Sequence, residues 1–180
     1  MATLPDPRRG RLLRAALGCF ARYGYRRTSM EVIAQAAGMS RPALYQYYRG
    51  KEEVFRAAAR WGLDDLAARA EAAAEAGGEP GERARAVLGL VLRMYDVRGE
   101  PAGHFRAELI DETYARAGDL WRSFEERLLA LLGSVLGTGA GIAKILLYGT
   151  KGIALHVEAP EEREELLRRF VEVTVRGSTS

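Results

Sequence analysis

Arg41, Ala43, Gln46 and Tyr47 fall within one seven-residue stretch, and Lys51 follows four residues later. Those residue types match what a nucleic acid offers. A guanidinium pairs with guanine, a carboxamide with adenine, and a small methyl group touches the methyl of thymine. A phenol or an ammonium supplies a hydrogen bond or a point charge to a phosphate. The set works as a surface only if a helix presents it. On a helix, Leu44 and Tyr48 stand four apart and face inward. Pro42, Ala43 and Gln46 then point the other way, with Tyr47 at the edge and Arg41 at the N-terminal tip. An ordinary surface helix of a bundle has the same pattern, so the flanking elements must decide.

The preceding residues predict a second short helix. Thr28 has the residue type of an N-cap and Glu31 stands at capping-box spacing. Met30, Ile33, Ala34 and Ala37 then make one apolar face. Gly38 provides the left-handed residue that ends it. Ser40 caps the next helix, with Pro42 in its first turn, and Met39 and Leu44 stand at hydrophobic-staple spacing. Before them, a helix runs to about Tyr23, buried through Leu13, Ala16, Leu17 and Phe20 and stopped at Gly24. Cys19 within it reads as a small apolar filler, although Arg22 and Arg26 nearby would favour its thiolate. Two short helices joined by a glycine-containing turn, with a packing helix before them, form a helix-turn-helix.

Charge supports that reading. The 180-residue chain has a formal net charge of +3. Residues 1–60 hold 12 Arg or Lys against 4 Asp or Glu, and the remainder holds 15 against 20. The positive end therefore coincides with the helix-turn-helix, as a local polyanion-binding module requires. Cys19 is the single cysteine, which excludes an internal disulfide and a multi-cysteine zinc site. With no apolar signal core in MATLPDPRRGR and no membrane-length apolar run, a reducing, cytoplasmic setting is expected. An all-α enzyme is the weaker alternative. Two His, one Cys and no Glu-x-x-His, Ser-His or P-loop arrangement leave no site for chemistry, and Glu108, Asp111 and Glu112 read as a solvated acidic face. No metal or cofactor is expected.

The rest of the chain predicts helices alone, about nine in all, hence an all-α fold of two parts. Residues 1–50 are expected to form the DNA-binding domain, and residues 51–180 a second domain that includes the dimerisation helices. Within the latter, residues 51–76 form one long connector helix, and a break follows at Glu79-Pro80-Gly81. Helices over residues 82–97 and 104–116 come next. Gly118 separates the second from a buried stripe of Ala117, Trp121, Phe124, Leu128, Leu131 and Val135. The last two helices, within residues 142–176, have apolar faces wider than one subunit's core needs. Ile145, Gly149, Gly152 and Ile153 on one, and Leu166, Leu167, Phe170 and Val173 on the other, are the expected homodimer interface. Two interior glycines, each costing about 1 kcal/mol relative to alanine, point to close approach of another helix.

Residues 8–60 resemble the DNA-binding domain of the TetR family of transcriptional regulators. The resemblance is carried by Leu13, Ala16, Phe20 and Gly24, then by Thr28, Ile33, Ala34, Ala37 and Gly38, and finally by Ser40, Leu44, Tyr45, Tyr48 and Lys51. It implies a homodimer that binds an inverted repeat in double-stranded DNA, with Arg41–Tyr48 as recognition helix. Arg41, Ala43 and Gln46 would face bases. Thr28 and Ser29 would donate to phosphates, and Tyr45, Tyr47 and Lys51 would touch the backbone as well. Two positions depart from the family's pattern: Tyr48 replaces the commoner Phe, and Gly50 replaces a capping Ser or Asn. The resemblance further implies a repressor released by a small effector held in the C-terminal bundle. Trp61, Met94, Tyr95 and His104, with Phe105, Tyr114, Trp121 and Phe124, are its expected contacts, and their aromatic character implies a hydrophobic effector. A ligand-independent regulator is the alternative.

Overall fold

A computed structural model describes residues 6–95, 103–137 and 139–178, with the side chains of 103–108, 140 and 178 excepted. Among the described residues there are eight helices and no strand: α1 (Pro7–Arg27), α2 (Met30–Ala36), α3 (Arg41–Tyr47), α4 (Lys51–Glu75), α5 (Pro80–Met94), α6 (Gly103–Leu136), α7 (Ala140–His156) and α8 (Pro160–Ser178). The chain forms two compact units, Met1–Asp64 with Val97–Trp121, and Asp65–Asp96 with Arg122–Ser180. Both α4 and α6 therefore contribute residues to each unit.

The count falls one short of the expected nine because the two helices predicted around Gly118 are joined end to end in α6 across a kink at Ala117 (φ −142°, ψ 36°). Gly118 has no positive φ. A helical glycine costs only about 1 kcal/mol, and the apolar stripe continues past it. That stripe runs through Phe124, Leu128, Leu132 and Val135, all buried. Leu131, expected on the stripe, is only half-buried, because the spacing after Leu128 is four rather than three.

The first unit's core joins α1, α2, α3 and the start of α4. Leu12, Ala16, Phe20, Ile33, Leu44 and Val54 are each 0% exposed. Phe20, Tyr25 and Phe55 interlock edge-on and stacked, with ring centroids 5.0 to 5.8 Å apart. Gly24 takes φ 75° and kinks α1 rather than ending it, so a further turn delivers Tyr25 into this aromatic cluster. Gly62 has a packing role. A Cβ there would stand 2.9 Å from Leu17 Cδ2, so glycine lets α4 lie close against α1. Cys19 is buried, and burial pushes its thiol above the ordinary range, which favours the apolar-filler reading over the thiolate.

In the second unit α5, α7 and α8 pack on one another through Val87, Leu88 and Val91, then Ala143, Leu146 and Leu147, and Leu167 and Val171. Arg163 is buried among them and donates from Nε to Val157 O at 2.6 Å. No single helix among the described residues is long and apolar enough to cross a membrane.

Candidate nucleic-acid interface

The turn between α2 and α3 follows from its residues. Gly38 takes φ 65°, Met39 N donates to Ala34 O at 3.0 Å, and Gly38 N to Gln35 O at 3.1 Å. This is a Schellman ending, which satisfies the carbonyls at the helix C-terminus. Ser40 then caps α3, its Oγ accepting from Ala43 N at 3.3 Å, while Pro42 occupies the first turn. Leu44 is 0% exposed and Tyr48 is 5% exposed, so α3 is pinned from beneath. Arg41, Pro42, Tyr45 and Gln46 are exposed on the outer side, with Ala43 and Tyr47 half-buried at its margins. The guanidinium of Arg41 lies 5.6 Å from the centroid of the Tyr45 ring. The structure thus brings Arg41, Ala43, Tyr45, Gln46 and Tyr47 together on one short helix.

One expectation is corrected. The N-cap of α2 is Ser29, whose Oγ accepts from Val32 N at 3.2 Å; Thr28 caps nothing there, and its box with Glu31 does not form. Thr28 is 1% exposed. Its hydroxyl sits 2.7 Å from Gly24 O and 3.2 Å from Cys19 O, closing the kink of α1. A buried hydroxyl committed to carbonyls is not placed to meet a phosphate, whereas Ser29 is exposed.

Lys51 opens α4 and is half-buried. Its ammonium donates to Tyr25 O at 2.9 Å and Arg26 O at 3.4 Å, and lies 4.5 Å from the Tyr25 ring centroid. It therefore ties α4 to the end of α1, with one of three N–H directions left over. Glu53, in the first turn of α4, reaches back past Gly50 to accept from Arg49 N at 2.7 Å.

Sequence reasoning missed several polar contacts around this module, all between residues far apart in the chain. Tyr47 donates its hydroxyl to Asp6 Oδ2 at 3.2 Å, and Arg9 donates from Nε to the Tyr48 hydroxyl at 3.1 Å. Asp6 also caps α1, and the Arg8 amide it accepts from is the chief reason its carboxyl sits below the usual range. At the other end of the unit, Tyr25 donates to Glu52 at 2.7 Å, and Arg116 of α6 reaches the same Glu52 oxygen at 2.9 Å. Arg116 also pairs with Glu112 and covers the Tyr25 ring at 3.9 Å. Arg56 donates to Arg116 O and pairs with Asp119 at 2.9 Å. Partial burial pushes the Tyr25 phenol up to about 12, with Glu52 contributing, while the Tyr25 hydrogen bond holds the Glu52 carboxyl down.

The family model described as "Bacterial regulatory proteins, tetR family" matches residues 12–58, which span α1 through the first turns of α4. Those 47 residues are similar to the DNA-binding region of that family. Among similar proteins, the HTH-type transcriptional repressor Rv1474c of Mycobacterium tuberculosis is 41% identical over 61 residues, covering 34% of this chain and 33% of that protein. The HTH-type transcriptional activator FasR of Mycolicibacterium smegmatis is 43% identical over 61 residues, 34% of this chain and 28% of that protein. The matched region thus spans about a third or less of these relatives' length. A crystal structure of a transcriptional regulator from Rhodococcus sp. Rha1 is similar along the whole fold: TM-score 0.75, 25% identity, 96% of this chain and 98% of that one.

The residues expected to meet an effector fall in both units. In the first, Trp61 is half-buried under the Arg14 guanidinium at 5.6 Å. Tyr114, 45% exposed, packs at a tilt of 44° against buried Trp121 with centroids 4.5 Å apart. In the second unit Tyr95 and Phe124 are buried and Met94 is half-buried. The side chains of His104 and Phe105 lie outside the described residues.

The expected dimer residues divide as well. Leu167 is 1% exposed inside the second unit's core. Gly149 receives the Phe170 ring of the same chain, 2.3 Å from where its Cβ would stand, so this glycine is explained without a partner helix backbone. Ile145 and Val173 stay exposed, at 52% and 72%, with Tyr148 and Leu155 near them in the sequence at 51% and 65%. Gly152, Ile153 and Leu166 are half-buried.

Proposed function

We propose that this protein is a homodimeric, sequence-specific DNA-binding regulator of transcription that represses by occupying an inverted-repeat operator. The observation that carries the reading is α3 itself. A short helix with a fully buried Leu44 beneath holds Arg41, Tyr45 and Gln46 outward, in the region that matches the family. Arg41 and Gln46 read bases, Ala43 contacts a thymine methyl, and Ser29, Tyr45 and the spare N–H of Lys51 hold phosphates. The exposed Ile145 and Val173, with Tyr148 and Leu155, form the centre of the contact between subunits. Large exposed apolar residues gathered on terminal helices are suited to a partner surface.

A small hydrophobic effector releases the DNA in this proposal. Tyr114 on its Trp121 base is the exposed aromatic best suited to meet it, and α4 is the continuous segment joining the recognition module to the second unit. The names of the relatives include both a repressor and an activator, so the direction of control needs its own measurement.

The test is selection of duplexes from a random pool and from sheared genomic DNA by the purified protein. An inverted repeat is expected, its half-sites about one helical turn apart, roughly 34–36 Å. A pool that gains no sequence preference over successive rounds overturns the proposal. A reporter downstream of the selected site then reads repression or activation. An unchanged selected-site affinity across a library of apolar small molecules leaves the ligand-independent regulator as the reading.

A further inference from the structure

The first turns of α1 carry Arg8, Arg9 and Arg11, all exposed and all preceding residue 12, where the family match begins. Two contacts bring this end of α1 against the C-terminal end of α3. Tyr47 donates to Asp6, and Arg9 donates from Nε to the Tyr48 hydroxyl. The Arg9 guanidinium also lies 5.9 Å from the Tyr48 ring centroid. An arginine whose Nε is spent on a buried phenol keeps its two terminal nitrogens, and four N–H donors, for another acceptor. No protein acceptor for those donors is found among the described residues, and Arg9 remains exposed. The only carboxylate in these turns, Asp6, is occupied by the Arg8 amide and by Tyr47. The patch is therefore net positive, and it lies beside the outward face of α3.

We propose that Arg9, oriented by Tyr48, forms with Arg8 a second DNA-backbone contact that flanks the recognition helix from outside the helix-turn-helix. This rests on the DNA-binding reading and extends it to residues that reading does not use. A fixed guanidinium fork suits a phosphate's paired oxygens better than a freely rotating cation. Tyr48 is a positioning residue: its ring serves the core as a Phe would, and its hydroxyl serves Arg9.

The experiment measures binding to a random-sequence duplex of about three helical turns by fluorescence anisotropy across a salt series. Each phosphate contact contributes about 0.9 to the slope of log affinity against log salt, so Arg9→Ala lowers the slope by about that amount, and Arg8→Ala lowers it too. Tyr48→Phe weakens binding about threefold, the scale of one hydrogen bond, with the thermal midpoint unchanged. In the Arg9→Ala background Tyr48→Phe has no further effect. Arg85→Ala removes an exposed arginine of the second unit and leaves the slope as it was. If Arg8→Ala and Arg9→Ala keep the wild-type slope while Gln46→Ala still erodes preference for the selected sequence, this inference fails and the DNA-binding reading stands. Equal loss from Arg85→Ala also overturns it, because net charge then explains the effect. Should the wild type bind neither random nor selected duplexes, both fall.

Discussion

The ring of Phe170 occupies the volume that any side chain on Gly149 would need, its Cε1 and Cζ standing 2.3 Å from the position of a Cβ there. Two effects then oppose each other when Gly149 is replaced. Alanine gains about 1 kcal/mol of helix propensity, while crowding a packed ring costs typically 1–3 kcal/mol. Gly149→Ala is expected to lower the thermal midpoint in the wild type. In a Phe170→Ala background the same replacement should raise it, because only the propensity gain remains. A calorimetric comparison of the four proteins reads that reversal of sign, and two shifts of the same sign would refute the packing account.

Thr28 and Ser29 separate by the same kind of measurement. Thr28→Val leaves the Gly24 and Cys19 carbonyls without their buried hydroxyl and costs about 1–2 kcal/mol of stability. Its effect on DNA affinity, measured well below the melting temperature, should be small. Ser29→Ala loses a cap worth about 1 kcal/mol and also weakens DNA binding, since that hydroxyl is exposed. Chemical denaturation and anisotropy on the same samples decide the assignment. Loss of affinity from Thr28→Val at full folding would return Thr28 to the interface.

The Tyr25–Glu52 pair makes stability depend on pH at both ends of the range. Tyr25 titrates at about 12 in the folded state, above an unfolded phenol near 10. The contribution is present below about pH 10 and is lost as pH rises through 12, since the unfolded chain releases its proton first. Glu52 is shifted downward, so its contribution is present above the ordinary carboxylate range and is lost on acidification. Ultraviolet titration should show one phenol ionising late, and that late step should vanish in Tyr25→Phe. Denaturation midpoints of Glu52→Gln should fall less steeply with acid than those of the wild type. Parallel curves would remove Glu52 from the linkage.

For the subunit contact, exposure separates the variants. Ile145→Glu and Val173→Glu place charges on exposed positions and should give folded monomers in analytical ultracentrifugation. Leu167→Glu buries an unpaired charge in the second unit and should unfold the chain instead. A folded dimer retained by both exposed-site variants would exclude this face as the interface.

Local rules carried most of the helix-turn-helix module. Gly38, Ser40, Pro42 and Leu44 act through neighbours no more than about four residues away, so capping, turn and staple logic identifies them without a fold. The all-helical architecture was legible for the same reason, as 3.6-residue periodicity is a property of a single segment. Competition among close candidates was less legible. Thr28 and Ser29 are both good caps, and only the inward carbonyls of Gly24 and Cys19 choose between them. Leu131 and Leu132 are adjacent leucines, and the neighbours packed on α6 select the second. Contacts between distant residues were invisible in the sequence: Arg9 with Tyr48, Tyr25 with Glu52 and Arg116, Gly149 with Phe170. Residue types and spacing thus establish that a short helix displays Arg41 and Gln46. Which side chains hold that helix, and which glycine makes room for which ring, is set by tertiary packing, because those energies come from pairs that only the folded chain brings within reach.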